Sequence, residues 1–192
     1  MNVPYEVGVG LLLGFSLTIP PGPMNALIAS QSVRSWRRGL VTGLGAMSAD
    51  AVLGAVVFVL STTIVLARFL RPIYILGAVT MGYFGYRLLA PRPEAPAPDT
   101  GTVRVYSTAL AIGVSNPFQI LWWLTAGLAF AYLGGIALFA GLFGAIAIWI
   151  VGFPYALSAG AERSPRFERG VTIVSGAVMA GFAVYFAYLA LA

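Results

Sequence analysis

Pro20-Pro21-Gly22-Pro23-Met24-Asn25 interrupts an apolar segment that runs from about Tyr5 to Val33. A segment of that length can cross a bilayer, which takes ~20 apolar residues. No straight α-helix passes through this hexapeptide. Each proline lacks a backbone donor, and its ring clashes with the carbonyl one turn back. Each residue ahead of a proline is pushed out of the helical region. The first spanning segment is therefore predicted as two half-helices with unwound chain between them. Unpaired backbone groups in hydrocarbon cost several kcal/mol each, so such a break persists only against protein or a watery cavity. The break is thus the first candidate for a functional site.

The rest of the chain has the composition of a membrane protein. Of its 192 residues 59% are hydrophobic and 9% charged, where soluble domains carry about 25% charged residues. One transmembrane domain over 1–192 is the natural division. The absence of cysteine and histidine excludes a thiol redox relay, a Cys/His metal site and a histidine proton shuttle. No metal, cofactor or catalytic residue is expected. An aspartyl protease needs two acids, and only Asp50 lies deep in a span. The basic residues form short loops rather than a face, so no nucleic-acid partner is expected. The N-terminus lacks a positive n-region and a small-residue cleavage site, so no removed signal peptide is expected.

Six spans are predicted: Tyr5 to Val33, Gly39 to Leu66, Ile73 to Leu89, Thr102 to Tyr132, Gly135 to Leu157 and Gly170 to Leu191. The proline-rich stretch from Pro91 to Gly101 falls in a linker over 91–103, which separates three-span halves at 1–90 and 104–192. Its prolines make it a semi-rigid hinge. Loop one carries Arg34, Arg37 and Arg38, loop three Arg87, Arg92 and Arg104, and loop five Arg163, Arg166 and Arg169. Loops two and four carry only Arg68 and Arg71. By the positive-inside bias, loops one, three and five face the cytoplasm and both termini lie outside. Three spans per half is an odd number, so the second half enters the membrane from the opposite side. Each half opens with a proline-broken span, the sequence pointer to an inverted-repeat transporter with a midplane site.

The two breaks offer complementary chemistry. Proline suits the first helical position, so Pro23 is predicted to start a half-helix with Gly22 at the cap. The amides of Met24, Asn25 and Ala26 then carry the positive end of the helix dipole and favour an anion. Carbonyls from about Ser16 to Ile19 end the preceding half-helix and favour a cation. Ser115-Asn116-Pro117-Phe118-Gln119 repeats the pattern, with Asn116 as N-cap, Pro117 at the first helical position, and the amides of Phe118 and Gln119 left for a ligand. Donor and acceptor patches side by side match a zwitterion such as an amino acid; the plainer alternative is a pair of capped kinks. Asp50 sits near the centre of the second span. Burying such a charge costs ~2.5–3.5 kcal/mol on insertion scales, and such residues serve ion or proton paths. It is assigned to proton coupling or a substrate ammonium, against the alternative of a hydrogen bond to Ser48 or a neighbouring helix. Asn25, Ser30, Gln31, Gln119 and Thr125 are candidate cavity liners, and Trp122, Trp123 and Trp149 candidate walls. Trp36 and Tyr132 suit interfacial anchors. The Gly10/Gly14 and Gly39/Gly43 pairs suit close helix packing.

Pro20-Pro21-Gly22-Pro23-Met24-Asn25, then Gly39-Leu40-Val41-Thr42-Gly43, Gly45 and Asp50, resembles the amino-terminal signature of the LysE/RhtB family of amino-acid exporters, the LysE-type translocators. Asn116-Pro117 is similar to the motif that opens that family's second half, and the likeness in length and span pattern covers essentially the whole chain. The residues themselves predict an all-α membrane protein with helices 1 and 4 broken. The resemblance implies a secondary exporter of amino acids or related small metabolites in a prokaryotic-type plasma membrane, driven by proton exchange. It supports site roles for Pro21, Gly22, Pro23, Asn25, Asp50, Asn116 and Pro117. Met24 departs from the family, which commonly has a polar residue there. The single deep acid does not favour lysine or arginine as cargo. The expected partners are a small-molecule substrate, protons and the lipid bilayer, with a homo-oligomer also open. An inorganic-ion transporter and a membrane assembly protein are the alternatives.

Overall fold

The computed structural model describes residues 3–60, 70–90, 101–124 and 135–191. All regular structure among them is helical: α1 Val3–Thr18, α2 Pro23–Ser32, α3 Trp36–Leu60, α4 Leu70–Leu89, α5 Thr102–Val114, α6 Pro117–Trp122, α7 Ile136–Arg163 and α8 Pro165–Leu191. Among the described residues three stretches are long and apolar enough to cross a bilayer, Trp36–Phe58, Ile136–Arg163 and Pro165–Leu191. The pair α1 and α2 passes the same test as one unit, bent by 79° at its break. The expected first break is therefore present, where the prolines demand it. Most of the linker, with Arg92, lies outside the described residues, as do Arg68, Thr125, Tyr132 and the far part of the expected fourth span. Among the described residues, the six-span count is reached only by adding α4 and the broken pair α5 and α6.

The fifth and sixth spans differ from expectation at their junction. The stretch 159–169 is not a loop: α7 runs on to Arg163, past Pro154, and α8 begins at Pro165. Ser164 alone makes the corner. Its backbone is extended, its amide donates to the Ala161 carbonyl at 3.3 Å, and Pro165 suits a helix start. The charged residues read as a loop are helix ends that extend past the apolar stretch.

Exposed side chains are apolar along the helices, including Leu12, Val52, Phe58, Val79, Ile148 and Val184, while Ser30, Thr42, Asp50, Asn116 and Gln119 are buried. That distribution fits a chain whose surroundings are hydrocarbon. The principal helix pairings are α1 with α7, α3 with α5, and α4 with α8. The first two are backbone-close. A Cβ on Gly10 would collide with the Leu138 carbonyl oxygen, and one on Gly141 with that of Val7. On the other pair, a Cβ on Gly45 would collide with the Tyr106 carbonyl oxygen, and one on Gly113 with Ala49. Small residues permit this approach, and dispersion contacts between the backbones hold it. Gly14 packs on Leu142 and Ala145, and Gly39 and Gly43 on Pro154 and Ile150, in line with their expected packing role.

Gly10→Ala forces α1 from α7 and is expected to destabilise the protein by about 1–3 kcal/mol. Gly8→Ala, with nothing within 4 Å of its new methyl, leaves stability unchanged or higher. Thermal unfolding of both variants in detergent measures the difference, and equal melting temperatures would count against this packing.

Candidate functional site

The first break is built as the prolines dictate. Gly22 is extended (φ −151°, ψ 175°) at the N-cap of α2, and Pro23 occupies its first turn. The Gly22 carbonyl accepts the Ala26 amide at 2.9 Å. Ala26 is therefore not one of the free donors the sequence suggested. The amides of Met24 and Asn25 have no acceptor within the helix and no side-chain cap.

Asn25 does the work that sequence reasoning left to a ligand. Its side-chain amide donates to the Thr18 carbonyl and, at 3.0 Å, to the Pro20 carbonyl. Its Oδ1 accepts from the indole Nε1 of Trp149 on α7 at 3.0 Å. The acceptor patch expected at the end of α1 is thus partly occupied by the chain's own side chain. The half-helix ends are tied to each other and to α7.

The second break follows the predicted cap. Asn116 is extended at the N-cap of α6, and its Oδ1 accepts the Phe118 amide at 3.1 Å, with Pro117 in the first turn. Phe118 therefore has no amide left over for a ligand, because the cap itself uses it. Asn116 Nδ2 donates to Gln119 Oε1 at 3.2 Å, and Gln119 Nε2 donates to Asp50 Oδ1 at 2.9 Å. Trp123 Nε1 donates to the same oxygen at 3.0 Å. Asn116, Gln119 and Trp123 recur at helical spacing, which aligns all three on the side facing α3. Ser48 is not a partner of Asp50; its hydroxyl accepts from Tyr106 at 2.8 Å.

One cavity joins these groups. It is lined by Gly22, Pro23, Met24 and Asn25 from the first break, by Asn116, Phe118 and Gln119 from the second, and by Asp50. Trp149 adds an indole wall, and Leu17, Ile28, Ala46, Ile146 and Ile150 supply apolar walls that no motif had marked. The volume is about 40 Å³ for the centres of water molecules, room for about three waters. Among the described residues no fully buried side-chain nitrogen or oxygen lacks a partner. Both donors to Asp50 meet Oδ1, and Asp50 lies in the cavity wall. Two predicted site residues do not line it. Pro21 borders an adjoining apolar hollow, and Pro117 packs under Gly77. Ser30 and Gln31 line a different hollow at the arginine-bearing end of the helices.

Of the sequence-predicted walls, Trp149 lines the cavity and Trp123 is buried behind Asp50. The i, i+3 and i+7 spacing of Asn116, Gln119 and Trp123 is the sequence signal for the Asp50 network. The Asn25–Trp149 contact bridges 124 positions and has no local signal.

The family model described as LysE type translocator matches residues 15–190 of the chain, which takes in both breaks and Asp50. The chain is 27% identical, over 93% of its length and 93% of the relative's, to the protein of Bacillus subtilis (strain 168) named "Putative amino acid efflux protein YcgF". No solved structure matches the chain.

Gln119→Leu keeps the side chain's bulk and removes one of the two donors to Asp50. It is expected to lower stability by about 1.5–3 kcal/mol, the range for a hydrogen bond to a charged group. Denaturant unfolding in micelles measures this, and an unchanged midpoint would show that the Asp50 network contributes nothing to the fold.

Proposed function

The chain belongs to the LysE type translocator family, and from that premise we propose that it is a secondary active exporter of amino acids or related small metabolites across the cytoplasmic membrane. It is a multi-pass membrane translocator and not an enzyme. The observation that carries the proposal is the shared cavity, in which residues of both helix breaks and Asp50 face one space. In this reading the Met24 and Asn25 amides receive a substrate carboxylate, as a helix N-terminus receives any anion. Asp50 Oδ2 receives the ammonium or a proton. Gly22, Pro23, Asn116, Phe118 and Gln119 shape the site, while Pro21 and Pro117 set the backbone breaks from outside it. The name of the Bacillus subtilis relative supports an amino-acid cargo.

The architecture proposed is six spans in two inverted halves, 1–90 and 104–192, joined by the linker 91–103. The helix pairings support it. Exchanging the halves turns the α1–α7 pairing into the α5–α3 pairing and maps the α4–α8 pairing onto itself. An internal two-fold relation has that signature, and an odd number of spans per half makes it an inverted one. The arginine-bearing ends are assigned to the cytoplasm and both termini to the outside.

A space of a few waters is smaller than an amino acid. The proposed cycle therefore widens the cavity toward one side at a time, with the halves rocking about the breaks. Proton coupling is assigned to Asp50, the acid that lines the cavity. The rival inorganic-ion reading needs oxygen ligands. The Thr18 and Pro20 carbonyls already accept from Asn25, and among the described residues no three His, Cys, Asp or Glu gather. Both observations favour the organic cargo.

Flux from proteoliposomes with an amino-acid panel, with and without a pH gradient, tests the proposal. The parent protein is expected to accumulate substrate against its gradient when a pH gradient is imposed, and Asp50→Asn to lose that accumulation. An Asp50→Asn protein that still moves substrate uphill as the parent does would remove the proton role.

A further inference from the structure

A hollow of about 520 Å³ opens where α2 and α4 end and α3 and α5 begin. Four arginines line it, each from a different element: Arg34 from the turn after α2, Arg38 from α3, Arg87 from the last turn of α4 and Arg104 from the first turn of α5. Among the described residues no aspartate or glutamate lines it. Gln31 Oε1 accepts from Arg38 Nε at 3.3 Å, which steadies that guanidinium.

Two of these charges sit where helix electrostatics disfavours them. Arg38 and Arg104 lie in the first turns of α3 and α5, where the helix dipole already carries partial positive charge and disfavours a cation. Arg34 and Arg87 lie at the ends of α2 and α4, where the dipole favours a cation, and both open on the same hollow. A bound anion suits this arrangement, because it meets guanidinium forks and the two helix N-termini together. The remaining walls are apolar, with Leu27, Phe84, Leu88 and Val105 beside the charged groups, and exposed Tyr83 stands at the rim. Basic pockets between membrane helices at the bilayer surface take phospholipid head groups. A phosphate attached to an acyl-bearing molecule satisfies both the charged and the apolar walls.

We infer that this hollow is a phosphate-binding site, occupied by the headgroup of an anionic phospholipid. It lies on the interface between the two halves, since α4 belongs to the first and α5 to the second. Lipid bound there bridges the halves at the end away from the first break.

The test uses the full chain in nanodiscs of equal parts phosphatidylcholine and phosphatidylglycerol, with co-purifying lipid counted by mass spectrometry after extraction. The parent protein is expected to retain phosphatidylglycerol several-fold over phosphatidylcholine. Arg87→Gln/Arg104→Gln is expected to bring the ratio close to one, and each single variant to fall between. Arg163→Gln/Arg166→Gln removes the same charge at the α7–α8 corner and is expected to keep the enrichment. Equal loss in both double variants, or no enrichment in the parent together with no stabilisation by phosphate in the second arm, would overturn the site. A second arm adds inorganic phosphate or chloride, at matched ionic strength, to lipid-depleted protein in detergent. Stabilisation by phosphate without phosphatidylglycerol enrichment would overturn the lipid as occupant while supporting the phosphate site.

Discussion

A helix broken inside a bilayer has to satisfy its freed backbone groups without bulk water. Everything distinctive in this chain follows from how it meets that requirement twice. At the first break the Asn25 side chain reaches back to the Thr18 and Pro20 carbonyls. At the second, the Asn116 side chain caps the Phe118 amide. Each asparagine keeps a further polar atom for another partner, Trp149 in one case and Gln119 in the other. The caps are therefore also the joints between the breaks and the rest of the molecule.

Those joints bring the chemistry to one place. Through Gln119 and Trp123 the second break supplies both donors to Asp50, an acid on α3. A carboxyl group that would be costly alone in hydrocarbon is held between α3 and α6, with one oxygen fixed by two donors, at the wall of the cavity. Glycine contacts on α1–α7 and α3–α5 allow the elements to approach closely enough for such short side chains to reach. The membrane-facing surface needs no such detail and is simply apolar.

Much of this was legible in the chain because proline and asparagine carry strong local rules. Pro23 and Pro117 at first helical turns, Gly22 and Asn116 at caps, and Asp50 as a deep acid all follow from residue type and neighbours. What was not legible depended on distance or on competition. The Ala26 and Phe118 amides and the Thr18 carbonyl were read as open to a ligand, yet the chain supplies their partners itself. Trp149 meets Asn25 across 124 positions, beyond the reach of any periodicity. The corner at Ser164 was hidden because charged residues at helix ends resemble a loop in hydropathy while keeping helical spacing.

Residues of both breaks border one cavity. Because the chain has no cysteine, a pair of introduced thiols reports on it without background. Met24→Cys and Phe118→Cys place one thiol on each break at the cavity wall. A short bifunctional thiol reagent applied to the double variant in membranes is predicted to link the two intramolecularly, with transport lost on linking and restored on cleavage of the linker. Absence of an intramolecular product, with each single variant still reactive toward a monofunctional reagent, would contradict the shared site.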